Sequence, residues 1–201
     1  MKPAPFYLAG ALAPLVFLAS VIYGAARRAG YSHLADPVSL LGMAGAADAG
    51  MINALWVVSG LLIILLGAGF WLDQAGPGRW TATWVMLAGA GSAAIAFWFP
   101  MDPPGAPLSR SQIGHNALVA VAGLSFALAL ITAAYAAAPP RAFRRFSWIA
   151  LAAMVAGGAG AALSAAMGWP LVGLFERVTQ AGYHSWLLVT AILGVTGWGA
   201  R

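Results

Sequence analysis

Apolar stretches separated by short polar segments run along the whole chain. Six of them are long enough to cross a bilayer as helices: residues 5–25, 50–72, 80–100, 113–137, 146–168 and 180–199. A membrane-spanning helix needs about 20 apolar residues, and stretches such as Leu61–Leu66 do not alternate with polar residues as barrel strands do. The pattern predicts an all-α polytopic membrane protein in which residues 1–201 form a single bundle of six transmembrane helices.

Composition supports this class and excludes others. The chain is 62% hydrophobic and 7% charged, whereas soluble domains carry about 25% charged residues. It contains no cysteine, which excludes disulfides, thiolate metal sites and a cysteine nucleophile. The net charge of +5 comes from basic residues scattered over several loops. We therefore expect these residues to orient the chain in a membrane, and we expect no nucleic acid as a partner.

Lysine and arginine are more frequent on the side of the predicted bundle that holds the two termini. That side has six of them and the opposite side has four. The positive-inside rule then places both termini in the cytoplasm, and we expect a multi-pass protein of the bacterial cytoplasmic (inner) membrane. Four of the five acidic residues lie opposite the termini: Asp36, Asp48, Asp102 and Glu176. Acidic residues contribute little to topology. Their location opposite the termini therefore indicates either a solvent-exposed outer surface or a polar site.

The longest polar interruptions follow the first, third and fifth spans. They include residues 31–39, 99–116 and 173–177. In a six-span protein these segments lie on one side of the membrane, so we predict that they form one polar site on the extracytoplasmic face. At least two pairs of side chains should lie there within hydrogen-bonding or salt-bridge reach. The residues expected to pair are His33, Asp102, His115 and Glu176 or Arg177.

The first of these segments carries His33, Asp36 and Ser39 at spacings of three. If the segment is helical, the three side chains share one face, and Asp36 can orient His33. Alternatively, Asp36 caps a short interfacial helix that begins at Pro37. Asn53, about one turn inside the second span, either joins helices or lines a polar cavity, because an amide in lipid needs hydrogen-bond partners.

The second segment links two helix ends. Asp102 follows the third span, and His115 with Asn116 opens the fourth. A carboxylate and an imidazole at facing helix ends can form a general-base pair, a metal-ligand pair or a structural hydrogen bond. Our hypothesis is that Asp102 and His115 pair at the mouth of a cavity between spans three, four and six.

The third segment leads through Glu176 into the last span. Arg177, Gln180 and His184 follow at spacings of three and four and so mark one helical face. Ionisable residues inside a membrane are functional candidates by default. Alternatively, Arg177 pairs with an acid in a loop and His184 packs as a neutral residue. In the functional interpretation, Arg177 anchors an anionic head group through bidentate hydrogen bonds.

The order of these motifs is similar to that of a known family. They are Tyr31–His33, Ser39–Gly42, Asn53, Phe99–Pro103, His115–Asn116 and Gly173–Arg177 followed by Trp186. On these residues the chain resembles the bacterial integral-membrane domain-of-unknown-function family 998 over nearly its whole length. The resemblance implies a six-helix membrane protein and implies no activity. Many relatives carry cysteines around the Phe-Pro-x-Asp loop, where this chain has Met101 and Pro104, so a loop disulfide is not carried over.

Three functions fit these observations. We favour a non-enzymatic protein that binds a small amphiphile or lipid head group, with membrane lipid as its partner. The alternatives are an intramembrane hydrolase acting on lipid through a His–Asp pair, with or without a metal, and a purely structural or accessory protein. The three histidines lack metal-ligand spacing, so we expect no metal and no cofactor. Glycine- and alanine-rich runs, such as 89–92 and 157–160, serve packing within the bundle or form a homo-oligomer seam.

Overall fold

Helices account for most of the described chain. The structure is a computed structural model that describes residues 3–136 and 140–198. Its α-helices are α1 (Ala4–Arg27), α2 (Ala49–Leu72), α3 (Arg79–Trp98), α4 (Arg110–Tyr135), α5 (Arg141–Met167) and α6 (Val172–Thr196). A short 3-10 helix, Val38–Gly42, lies between α1 and α2, and no strand occurs within the two described ranges. The predicted all-α fold is confirmed.

Helices α1 to α5 have the length and apolar composition needed to cross a membrane. The chain is therefore a multi-pass helical membrane protein. Helix α6 has 25 residues but falls short of the same apolar composition, because Gln180 and His184 interrupt its apolar sequence. It begins at Val172, earlier than the predicted span at residue 180. A total of six spans stays a prediction.

Close approaches between small residues hold neighbouring helices together. Gly60 in α2 and Gly89 in α3 each face the backbone carbonyl of the other, and Gly157 in α5 lies against the backbone of Thr179 in α6. A side chain at any of these glycines would collide with backbone atoms. These positions therefore serve packing within the chain, as association of helices in lipid requires, whereas a homo-oligomer stays a prediction.

A buried hydrogen-bonded group joins both ends of the chain to the connection between α2 and α3. The Tyr7 hydroxyl donates to Asp73 Oδ2 at 2.7 Å, and Trp198 Nε1 donates to the Tyr7 oxygen at 3.1 Å. Tyr7 and Trp198 are both buried. The contact fixes the first helix against the residues that follow the last one.

The segments after α1, α3 and α5 meet at the opposite end of the bundle, which we call the loop end. The amide of Ala44 donates to the carbonyl of Met101 at 2.9 Å, and the amide of Leu174 donates to the carbonyl of Leu34 at 2.9 Å. The expectation that these three polar segments share one end is confirmed. Both of these connections run through backbone atoms.

Candidate functional site

A cavity of about 350 Å³ lies inside the loop-end half of the bundle. All six helices and the 3-10 helix contribute to its wall, and we call it the loop-end cavity. Most of the wall is apolar. Its larger apolar side chains are Phe17, Trp56, Ile63, Phe126 and Met154. A cavity of this size is typical of small-molecule binding sites.

One wall of the cavity is polar, and helix α6 supplies it. Glu176, Gln180 and His184 follow one another at spacings of four, and all three line the cavity together with Tyr183. At 1.5 Å per residue, this stripe extends about 12 Å along the helix axis. The cavity thus has polar groups along one side and apolar groups on the others.

The two ring nitrogens of His184 are buried without a hydrogen-bond partner among the described residues. Its ring stacks on Phe17 with centroids 4.5 Å apart, and the Tyr183 ring lies at 4.3 Å. Neither ring nitrogen has a hydrogen-bond partner among the described residues. Burying a polar group without a partner costs free energy. The imidazole of His184 can therefore still form hydrogen bonds that the described residues do not supply.

Two neighbours of His184 have unused hydrogen-bonding capacity as well. The Gln180 amide and the Tyr183 hydroxyl line the cavity and make no hydrogen bond to any described residue. The Tyr183 ring stacks on Phe126 at 4.3 Å, which holds it against α4. The wall therefore offers several donors and acceptors that the described parts of the protein do not satisfy.

His115 contributes a further polar group from α4. The side chain is only 8% exposed, and Nδ1 lies 2.8 Å from the carbonyl oxygen of Phe99. A carbonyl oxygen only accepts, so Nδ1 carries the proton of this hydrogen bond, and in the neutral ring Nε2 is then an acceptor. His115 lines the cavity. Its Nε2 has no partner within the described ranges.

The hypothesised hydrogen bond between Asp102 and His115 does not form, although Asp102 is close enough to act electrostatically on His115. The Asp102 carboxylate accepts hydrogen bonds from Ser109, from Oγ at 2.9 Å and from the backbone amide at 3.2 Å. Gln112 accepts from the Asp102 amide at 2.8 Å and donates to Asn116 at 2.9 Å. The loop binds its own side chains because Ser109 and Gln112 are nearer in sequence, which makes Asp102 and Asn116 structural in this arrangement.

Arg177 points away from the cavity into the segment after α1. It donates to the carbonyl oxygens of Gly173 at 2.9 Å and Asp36 at 3.3 Å, and to the Tyr31 hydroxyl at 2.7 Å. The prediction that Arg177, Gln180 and His184 face one site is wrong at Arg177. Its guanidinium is used by the protein itself.

Tyr31, in the first segment, is the side-chain partner of Arg177 and makes a second hydrogen bond of its own. Its hydroxyl donates to the carbonyl of Pro37 at 3.3 Å while accepting from Arg177. Burial raises the pKa of the Tyr31 phenol above its ordinary value, although the hydrogen bond from Arg177 opposes the shift. The phenol therefore stays protonated at neutral pH and can donate and accept at once.

Residues 33–36 of the first segment form a turn, so His33, Asp36 and Ser39 do not share one helical face. The Asp36 carboxylate accepts from the Ser32 amide at 2.7 Å, so it closes a turn and does not cap the 3-10 helix that follows. His33 packs edge-on against Tyr31 at 5.5 Å. The amide of Val38, the first residue of the 3-10 helix, donates instead to Glu176 Oε2 at 2.7 Å.

Ser39 and Asn53 have different surroundings. Ser39 lines the cavity, and its hydroxyl lies 3.2 Å from the sulfur of Met101. Asn53 Nδ2 donates to the carbonyl of Gly42 at 2.8 Å, and its side chain is not part of the cavity wall. Of the two roles considered for Asn53, the structure supports the joining one.

With this geometry in place, comparison with known proteins decides the family. The pattern of a family described as "Protein of unknown function (DUF998)" matches residues 11–193. The chain belongs to the DUF998 family. Neither the curated proteins nor the solved structures give a significant match to the chain. The family of this DUF998 chain thus agrees with the resemblance seen in the sequence, and it adds no activity.

The predicted direct pairs at the loop end of this DUF998 chain do not form. Within residues 3–136 and 140–198, His33, Asp102, His115, Glu176 and Arg177 make no hydrogen bond or ion pair with one another. Glu176 and Arg177 instead contact the first segment, through the Val38 amide, the Asp36 carbonyl and the Tyr31 hydroxyl. The same described residues contain no group of three His, Asp or Glu side chains that could hold a metal ion.

Sequence reasoning missed Tyr183 and placed the polar stripe of this DUF998 chain one residue too late. The stripe begins at Glu176, whose spacing to Gln180 and His184 is four and four. Tyr183 follows Glu176 by seven and therefore lies on the same side of the helix. That spacing was readable in the sequence. The side chains from other helices, such as Phe17, carry no comparable signal.

Proposed function

We propose that this protein binds a small amphiphile in the loop-end cavity and is not an enzyme. The observation that carries the proposal is the group of polar side chains without hydrogen-bond partners among the described residues, Gln180, Tyr183 and His184, on one wall of a largely apolar cavity. A molecule with a polar part and an apolar part satisfies both surfaces at once. Binding sites typically combine an apolar lining with a few convergent polar groups.

The cavity has a side opening toward the surroundings of the bundle. Val119 and Gly158 both line it, yet Val119 is 49% exposed and Gly158 is exposed as well. They belong to α4 and α5, which are connected at the end away from the loops. At Gly158 and at the nearby Gly123, an added Cβ would meet no atom within 4 Å. This opening gives a molecule dissolved in the bilayer a path into the cavity.

The opening provides a matched test. Gly158→Leu places a side chain in space that the protein leaves empty, whereas Ala159→Leu adds similar bulk at an exposed position that does not line the cavity. Wild-type and variant proteins would be purified in mild detergent, checked for thermal stability and analysed by native mass spectrometry for bound amphiphiles. We expect the wild type and Ala159→Leu to retain a bound amphiphile and Gly158→Leu to lose most of it.

Two results would contradict the proposal. One is a folded Gly158→Leu protein that retains the same molecules as the wild type. The other is a wild-type protein that contains no amphiphile from the membrane and takes up none when it is added, because the unsatisfied groups are then hydrated by water alone.

Both termini are proposed to lie in the cytoplasm, with the loop end on the extracytoplasmic face of a bacterial inner membrane. The support is the excess of Lys and Arg on the terminal side, six against four. Reporter fusions after Arg145 and after Arg110 should give cytoplasmic and extracytoplasmic signals, respectively. The reverse pattern would overturn this orientation and leave the cavity proposal standing.

A further inference from the structure

We infer that the head group held in the loop-end cavity is a cationic hydrogen-bond donor of the primary-amine class, with Glu176 as its counter-charge; this inference rests on the proposed function. It replaces the sequence-based expectation of an anionic head group. Three features of the cavity support it: its charge, its acceptors and the engagement of the nearest arginine.

The charge of the cavity wall has one sign. Among the described residues that line it, Glu176 is the only carboxylate and none is Lys or Arg. An anionic head group would therefore enter a largely apolar space whose described wall holds a carboxylate and no lysine or arginine, and like charges repel strongly where water is excluded. A cationic head group meets an opposite charge at the same position.

The positive charge of Arg177 acts on the neighbouring Glu176 carboxylate, but Arg177 is not part of the cavity wall. Its guanidinium donates to two backbone carbonyls and to Tyr31 at distances of 2.7 to 3.3 Å. Moving it into the cavity would leave those acceptors without their donor. The hydrogen bonds of Arg177, which directly follows Glu176 in α6, are therefore directed to the first segment and to its own helix and not into the cavity.

Two of the hydrogen-bonding groups at the loop end of the cavity are free acceptors within the described ranges. Oε2 of Glu176 accepts from Val38, while Oε1 has no partner among the described residues. His115 presents Nε2 as an acceptor because its Nδ1 donates to Phe99. An ammonium group has three donors and no acceptor, so it can donate to either of these acceptors. Gln180 and Tyr183, deeper in the stripe, can donate or accept and favour neither charge.

Matched single-chain amphiphiles test the inference directly. Dodecylamine, dodecanol and dodecanoate share one chain length and differ in head-group charge at about pH 8. Their binding to the delipidated, detergent-solubilised full-length protein would be measured by titration calorimetry, with butylamine as a short amine. Each probe would be run on the wild type, on Glu176→Gln and on Gly158→Leu. The Gln side chain keeps an acceptor for Val38, so the variant removes the charge and retains the contact.

We expect dodecylamine to bind the wild type about tenfold more tightly than dodecanoate, the usual effect of one charge-assisted hydrogen bond. Glu176→Gln should remove most of that preference, and Gly158→Leu should weaken binding of all three twelve-carbon probes. Butylamine should bind far more weakly than dodecylamine. Equal affinity of the two amines would show that a free amine and not an amphiphile is recognised.

The two ways of failing are distinguishable. If dodecanoate binds as tightly as dodecylamine, or if Glu176→Gln keeps the preference for the amine, the head-group inference is overturned while the amphiphile site survives. If Gly158→Leu leaves the binding of every twelve-carbon probe unchanged, the probes bind elsewhere and the proposed function itself fails.

Discussion

The Glu176 carboxylate accepts a 2.7 Å hydrogen bond from the amide of Val38, which lies 138 positions away in the sequence. One carboxylate oxygen thus caps the 3-10 helix of the first segment. The remaining oxygen belongs to a side chain that lines the cavity. The contact holds the Glu176 carboxylate in place at the loop end.

Removing the acceptor at Glu176 should destabilise the loop end. Glu176→Ala leaves the Val38 amide without its partner, which costs about 1–3 kcal/mol, while Glu176→Gln retains an acceptor and should cost less. Thermal or denaturant unfolding of the detergent-solubilised variants measures the difference. Equal stability of the Ala and Gln variants would show that the hydrogen bond contributes nothing to the fold.

Arg177 should be a structural residue. Arg177→Met removes hydrogen bonds to Asp36, Gly173 and Tyr31, and we expect a loss of about 2–4 kcal/mol because a charged donor is lost and acceptors are left unpaired. Arg145→Met, at an exposed position at the other end of the bundle, should change stability by less than about 0.5 kcal/mol. Similar unfolding midpoints for the two variants would contradict this assignment.

Gly173 is a position where a methyl group does not fit. A Cβ there would collide with the carbonyl oxygens of Asp36 and His33, so Gly173→Ala should destabilise the protein by about 1–3 kcal/mol. Gly158→Ala has open space around it and, in a helix, should be neutral or stabilising by up to about 1 kcal/mol. Unfolding midpoints in the opposite order would mean that the first segment does not pack on α6 as described.

Replacing His184 by an apolar ring should not destabilise the ligand-free protein. His184→Phe can keep the stacking on Phe17 and removes two buried nitrogens without partners, so we expect stability unchanged or raised by about 1–3 kcal/mol. The comparison is the unfolding midpoint of delipidated wild type and variant. A clear loss of stability would show that the imidazole is satisfied by a partner, such as an ordered water, in the folded protein.

The helices were predictable because long apolar stretches have few other stable forms in a bilayer. The start of α6 was not, because Glu176, Gln180 and His184 interrupt the apolar pattern on one face while the helix continues. Its polar side chains face the cavity and not the outer, lipid-facing surface of the bundle. A sliding count of apolar residues cannot distinguish that arrangement from a loop.

The partners of the loop residues were predictable only where they are close in sequence. Asp102 bonds to Ser109, seven positions away, and a nearby serine is a simple alternative to a distant His115. The contacts of Arg177 are with the carbonyl oxygens of Asp36 and Gly173 and with Tyr31. Backbone carbonyls exist at every residue, so no residue type in the sequence marks which of them will be used.

Helix α6 is held near both of its ends by tyrosines outside the cavity. At its start, Arg177 bonds to Tyr31, and just beyond its last turn Trp198 bonds to Tyr7. A rotation of α6 about its own axis would break both contacts together. The direction in which the polar stripe faces thus depends on residues that lie outside the cavity wall, and we expect a change at Tyr7, at the far end of the bundle, to alter the site by allowing this helix to turn.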